Sequence, residues 1–112
     1  EVLPVLTQRG IAPIGMKSLS GNAEPIKQGL VTPEEALRYV LSLPIASLVS
    51  GIDSRDVLRQ NLDIVRRFVP MTVAEMQGLR TRVARYAMDG RFELFKSTNR
   101  YDGRIGREQH GL

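Results

Sequence analysis

The sequence predicts an α/β fold, and an incomplete one: two strand-then-helix units followed by one further helix. Two short, nearly continuous apolar runs, residues 11–16 (IAPIGM) and 45–49 (IASLV), are each followed by a capped helical pattern. Strands that alternate with helices imply parallel pairing in a layered architecture. Two parallel strands do not make a stable sheet alone, because their outer edges stay open and both faces need helix cover. The missing strands therefore have to come from a longer chain or from another copy.

Each element has its own local reason. Residues 2–8 are apolar with one proline and read as the end of a helix. Gly10 closes it, since glycine takes a positive φ without a Cβ penalty, and Pro4 suits a first turn. Residues 11–16 are too short for a helix, and continuous apolarity suits a strand buried on both faces. Pro13 argues against this, because it cannot donate to a ladder. Residues 17–31 contain Gly, Ser, Asn and Pro25 and read as a long loop, a feature that is often functional.

Thr32-Pro33-Glu34-Glu35 is a helix start: Thr32 caps, Pro33 takes the first position and Glu35 completes a capping box. Ala36, Leu37, Val40 and Leu41 form its apolar stripe, and Pro44 stops it. The second strand, residues 45–49, turns at Ser50-Gly51. Asp53 or Ser54 can then cap a helix expected to bury Val57, Leu58, Leu62, Val65 and Phe68, with Pro70 beyond its end. Thr72-Val73-Ala74-Glu75 opens a third helix, with Met76, Leu79, Val83 and Tyr86 at helical spacing and Asp89-Gly90 at its end. The expected organisation is a helix end over 1–10, two strand–loop–helix units over 11–70, a C-terminal helix over 71–90 and an irregular tail over 91–112. Phe92, Leu94 and Phe95 are the apolar cluster able to pin that tail.

At 112 residues the chain holds one small domain, with ordinary globular usage of 42% hydrophobic and 25% charged residues. It begins at Glu1, which raises the expectation of processing, trimming or excision from something longer. Without cysteine it has no disulfide or thiolate metal site, which fits a reducing, cytoplasmic setting. No apolar run approaches the ~20 residues of a membrane span, and the first ten residues lack the pattern of a signal peptide. The net charge of +4 favours anions. The arginines are nevertheless scattered (Arg66 and Arg67; Arg80, Arg82 and Arg85), and aromatics are 5%, so nucleic acid is not the expected partner.

No catalytic set is evident. The single histidine, His110, stands near the end of the polar tail. No His/Cys/carboxylate cluster has metal-ligand spacing. Asp53 and Asp56 suit the positive end of a helix, and Tyr39, Tyr86 and Tyr101 have no activating neighbour in sequence. The informative places are the loops after the two strands, because ligands of parallel α/β proteins bind at the carboxyl ends of strands. The first, Met16-Lys17-Ser18-Leu19-Ser20-Gly21, offers a cation, hydroxyls and backbone amides. The second, Ser50-Gly51-Ile52-Asp53-Ser54-Arg55, leads into a helix N-terminus that favours an anion, with the planar donor fork of Arg55 beside it. Ser-Gly before a capped helix is equally ordinary turn chemistry.

These segments, taken together in order, resemble the last part of the aldo/keto reductase barrel. Residues 11–19 (IAPIGMKSL) resemble its seventh strand and loop, residues 31–39 (VTPEEALRY) its seventh helix, and residues 47–62 (SLVSGIDSRDVLRQNL) its eighth strand, turn and helix. The tail around residues 89–96 (DGRFELFK) is similar to a bacterial branch. The resemblance implies the last two β/α units and C-terminal helix of a (β/α)8 TIM barrel, thus a partial barrel. It also implies a parent enzyme transferring a hydride between NADP(H) and a small carbonyl or alcohol substrate. Met16 falls where an aromatic usually stacks on the nicotinamide. Lys17, Ser18, Leu19 and Ser20 fall at pyrophosphate positions, Gly51, Ile52, Asp53, Ser54 and Arg55 around the adenosine 2′-phosphate, and Gln60 and Asn61 at the adenine.

Two departures bear on these implications. Val57 stands where a basic or polar residue is usual, and Asp53 would repel a 2′-phosphate. NADP is thus inherited from the resemblance, with NAD left open. The family's catalytic Asp, Tyr, Lys and His come from earlier strands, so this chain alone is expected to be inactive. Its expected partner is the missing N-terminal part of the barrel. The alternative is a small self-associating interaction domain.

Overall fold

The computed structural model describes residues 2–92. In chain order the elements are α1 (Val2–Gln8), β1 (Ile14–Gly15), α2 (Glu24–Lys27), α3 (Pro33–Leu41), β2 (Ser47–Leu48), α4 (Arg55–Arg66) and α5 (Val73–Ala87). The tail from residue 93, with Leu94, Phe95, Tyr101 and His110, lies outside the described residues.

The helix ends follow from local chemistry. After α1, Gly10 takes φ +65°. The amide of Ile11 donates to the Leu6 carbonyl at 2.9 Å and that of Gly10 to Thr7 at 3.2 Å, the paired bonds of a Schellman ending. Helices α3 and α5 each start with a complete capping box: Thr32 with Glu35, and Thr72 with Glu75. For α4 the cap is Ser54, whose Oγ accepts the Val57 amide at 3.2 Å. The long loop expected over 17–31 contains the one-turn helix α2. It ends in a second Schellman pair, Leu30 to Pro25 and Gly29 to Ile26, both at 2.9 Å. With Pro25 inside a single turn, the sequence offers no apolar period from which α2 could be read.

The two strands pair in parallel, Ile14 with Ser47 and Gly15 with Leu48. Both are shorter than the apolar runs that announced them. Pro13 adjoins the ladder through its carbonyl, which accepts the Ala46 amide at 2.8 Å, so its missing N–H costs no bond. The Gly15 carbonyl accepts Val49 at 2.8 Å. Burial differs from the expectation of a strand covered on both faces. Gly15 and Leu48 point towards α3, and a Cβ at Gly15 would come within 3.1–3.2 Å of Val40, Ile45 and Leu48 side-chain atoms. The opposite face carries Ile14 and Met16, each 66% exposed, and Val49, 56% exposed. One face of the sheet is thus covered and the other bare.

The core is small and lies where α3 packs on α4: Leu37 is 2% exposed, with Ile64 and Ala36 also buried. The face that α4 buries is Val57, Asn61, Ile64 and Phe68, at i, i+4, i+7 and i+11. Leu58, Leu62 and Val65, expected inside, are exposed instead. Two adjacent apolar stripes run along this helix, and only one finds a neighbour.

Helix α5 buries no residue fully and is held to α3 largely by polar bridges. Arg82 pairs with Glu35 at 2.6 Å and Arg38 with Glu75 at 3.6 Å. Arg80 donates to the Tyr39 hydroxyl at 3.2 Å. Ser42 Oγ donates to the Arg38 carbonyl at 2.7 Å and accepts the Met71 amide at 2.8 Å. The basic residues of α5 are therefore partly engaged within the fold, Arg85 stacking on Tyr86 at 4.7 Å.

Burial by itself would raise the Glu35 pKa, but the Arg82 guanidinium and the Thr32 amide together hold it below the ordinary glutamate value of 4.5. A lowered folded pKa stabilises above the unfolded value, and that stability drains as pH falls. The urea midpoint is expected to be flat above about pH 4.5 and to fall below it. Arg82→Met is expected to flatten that acid limb, which a pH series of melts of both proteins checks.

Gly78 lies inside α5 with an ordinary φ, and a Cβ there meets nothing within 4 Å. Gly78→Ala is accordingly expected to stabilise by about 0.4–1 kcal/mol, read as a higher denaturant midpoint.

Candidate functional site

Parallel pairing in this register sends both strands out at the same end of the sheet. Residues 16–21 and 50–55 therefore start side by side, one strand spacing of about 4.8 Å apart. Beyond that start the two loops diverge.

The second loop runs over the surface into α4. Gly51, Ile52, Asp53, Ser54 and Arg55 are all exposed. Ser54 satisfies the Val57 amide, so the amides of Arg55 and Asp56 at the helix start lack an intrahelical partner and remain donors for an anion. No atom lies within 4 Å of a Cβ built on Gly51, which leaves room for a group to approach. Asp56 sits in the first turn and pairs with Arg59 at 3.3 Å. With Asp53 it surrounds the donors with negative charge. These carboxylates oppose a 2′-phosphate, and Arg55 is the cation of this turn that would have to offset them.

The two residues expected at an adenine separate. Gln60 is exposed. Asn61 is 8% exposed, and its Nδ2 donates to Ser50 Oγ at 3.0 Å, bracing α4 against the end of β2. Its Oδ1 is buried without a hydrogen-bond partner. A buried acceptor left unmet costs about 1–3 kcal/mol. That orphan suits an amine donor such as the exocyclic group of adenine, provided the base displaces what now covers it.

The first loop bends the other way, towards α3 and α5. Lys17, Ser20 and Ala23 adopt left-handed backbone at φ 55°, 66° and 56°. For residues with a Cβ this costs about 1–2 kcal/mol each. Three such residues in one short loop need outside restraint, and strain of this kind concentrates at functional sites. The Ser20 amide donates to the Lys17 carbonyl at 2.9 Å, closing a turn. Ser20 Oγ donates across the fold to the Phe92 carbonyl at 2.9 Å. Lys17, Ser18 and Ser20 line a cavity of about 430 Å³ shared with Tyr39, Val83 and Phe92. Met16 lies on the bare face of the sheet and Leu19 is half-buried. The loop's strain carried no signal in the sequence, since only one of its three left-handed types, Ser20, is a common turn residue.

Among the described residues no group of three or more His, Cys, Asp or Glu could hold a metal ion, and no helix is long and apolar enough to cross a membrane. No protein-family model, curated protein or solved structure matches the chain.

Proposed function

We propose that this chain is the cofactor-holding C-terminal part of an aldo/keto reductase, supplying the last two β/α units and closing helix of a (β/α)8 barrel. The observation that carries the reading is the parallel register that starts both post-strand loops at one end of the sheet. The bare sheet face, with Ile14, Met16 and Val49, supports it: in a closed barrel this face would look inward onto other strands. In this role Lys17, Ser18, Leu19 and Ser20 hold the pyrophosphate, and the α4 amides with Arg55 and the turn from Gly51 to Ser54 hold the adenosine end. Met16 packs beside the nicotinamide, while Gln60 and Asn61 address the base. NADP, when bound, supplies the hydride or accepts it from an alcohol. The catalytic groups belong to the parent's remaining strands, and this chain turns over no carbonyl substrate by itself.

Arg55→Ala is expected to weaken adenosine 2′,5′-bisphosphate binding on the order of tenfold or more, from the ~1.5–3 kcal/mol of a charge-assisted hydrogen bond. Isothermal titration of both proteins measures it. Unchanged affinity would remove Arg55 from the site, and carbonyl reduction by this chain would overturn the division of labour.

A second reading, a self-associating interaction domain, is favoured by the same bare face together with the exposed stripe Leu58, Leu62 and Val65. Sedimentation separates the two. A discrete dimer whose melting ignores NADP supports self-association.

A further inference from the structure

The cavity of about 430 Å³ lies between the first loop, α3 and α5, and its wall is largely apolar, with Val40, Leu79, Val83, Ala87 and Phe92 among its residues. Among the described residues that line it there are two cations, Lys17 and Arg80, and neither Asp nor Glu. Arg80 differs from the other arginines between α3 and α5. Arg82 is neutralised by Glu35 and Arg38 by Glu75. Arg80 donates instead to two neutral oxygens, the Tyr39 hydroxyl at 3.2 Å and Gln77 Oε1 at 2.8 Å, and it pairs with no carboxylate among the described residues. A guanidinium carries further N–H donors beyond those two. The Tyr39 hydroxyl accepts from Arg80, so its own hydrogen is left to donate. Arg80 is exposed and Tyr39 half-buried, which puts this pair where the cavity meets solvent.

We infer that this cavity binds a small carboxylic acid with an apolar body, its carboxylate held by Arg80 and Tyr39 and its body laid against Leu79, Val83 and Phe92. The volume lies within the range of roughly 300–1,000 Å³ usual for small-molecule sites, and so does the pattern of an apolar wall with a few polar groups. The wall favours a ligand with hydrocarbon to remove from water. The headgroup follows from Arg80: its planar fork matches a carboxylate, and the bond between unlike charges is the stronger kind. The Tyr39 hydroxyl adds a second donor beside it, already oriented by Arg80. Neither residue belongs to the set assigned to the cofactor. The site is therefore separate from the dinucleotide cradle, although the first loop forms part of its wall.

Titration of octanoate into the full 112-residue chain, followed through labelled leucine and valine methyl groups, tests it. Saturable shifts are expected at the Leu79 and Val83 methyls. Arg80→Gln is expected to weaken octanoate on the order of tenfold, from the loss of a charge-assisted hydrogen bond. Arg66→Gln, which removes the same charge from α4, should leave the affinity unchanged. Octanol should bind the parent chain more weakly than octanoate does, and should not distinguish it from Arg80→Gln. Val83→Trp fills the cavity and is expected to abolish binding of both. Saturating adenosine 2′,5′-bisphosphate should not displace octanoate, whether or not it binds elsewhere on the chain. Leu79 and Val83 methyls that ignore octanoate overturn the inference, because something else then fills the cavity. Equal losses in Arg80→Gln and Arg66→Gln overturn it as well, since they would reduce the binding to net charge. Displacement by the bisphosphate would return the cations to the cofactor and also overturn it.

Discussion

Leu37→Ala is expected to abolish the cooperative unfolding transition of this chain. Leu37 is the most deeply buried large side chain among the described residues, on the helix that packs on α4 and covers the sheet. Truncating a buried leucine to alanine typically costs about 2–5 kcal/mol, with the cavity adding to the lost transfer energy. A natural domain has only ~5–15 kcal/mol in hand. Among the described residues the buried apolar side chains are Ala36, Leu37 and Ile64, a core that places the reserve at or below the low end of that range. Thermal unfolding followed by circular dichroism should show a broad, shallow change in place of a transition. A midpoint lowered by only a few degrees would mean that Leu37 is not the keystone its burial indicates.

Gly15→Val is expected to be the second most damaging single change, for the opposite reason. A Cβ at Gly15 already falls within 3.1–3.2 Å of Val40, Ile45 and Leu48, and valine adds two methyl groups at the same place. Overpacking of this kind costs about 1–3 kcal/mol. It is also expected to displace the start of the first loop, because the added bulk pushes β1 away from α3 where that loop leaves the sheet. Urea unfolding of Gly15→Val beside Gly51→Ala makes the comparison. Gly51 has open space around it, so its substitution should stay within about 0.5 kcal/mol of the parent. Equal losses at both positions would contradict the close packing of the sheet on α3.

What was legible in the sequence was what local chemistry decides. Thr32 with Glu35 and Thr72 with Glu75 announce helix starts through hydrogen bonds between residues three apart, and both boxes are present in full. Gly10 announces a helix end in the same way. The features that were not legible depend on distant partners. Along α4, Leu58 and Leu62 read as core and Ile64 does not, although all three are equally apolar. Only the position of α3 decides that Ile64 is covered and the leucines are not. The sheet face behaves likewise, since an apolar run cannot say whether the layer that would cover Ile14 and Met16 is supplied by the same chain. At the candidate site, residue types were legible and directions were not. Lys17, Ser18 and Ser20 were recognisable as loop donors, yet their turn towards α5 follows from left-handed backbone and from the bond to Phe92, 72 residues later. Asn61 was recognisable as polar, yet its burial against Ser50 depends on how α4 sits over the end of β2.

We propose that one end of this sheet holds the phosphates of a dinucleotide. Amide chemical-shift mapping of the isotope-labelled chain with NADP tests it most directly. Shifts are expected to concentrate at residues 16–20 and 51–56, with smaller ones at Gln60 and Asn61 and none along the solvent side of α1. Shifts spread evenly over the arginines of α5, or no shifts at millimolar NADP, would contradict it.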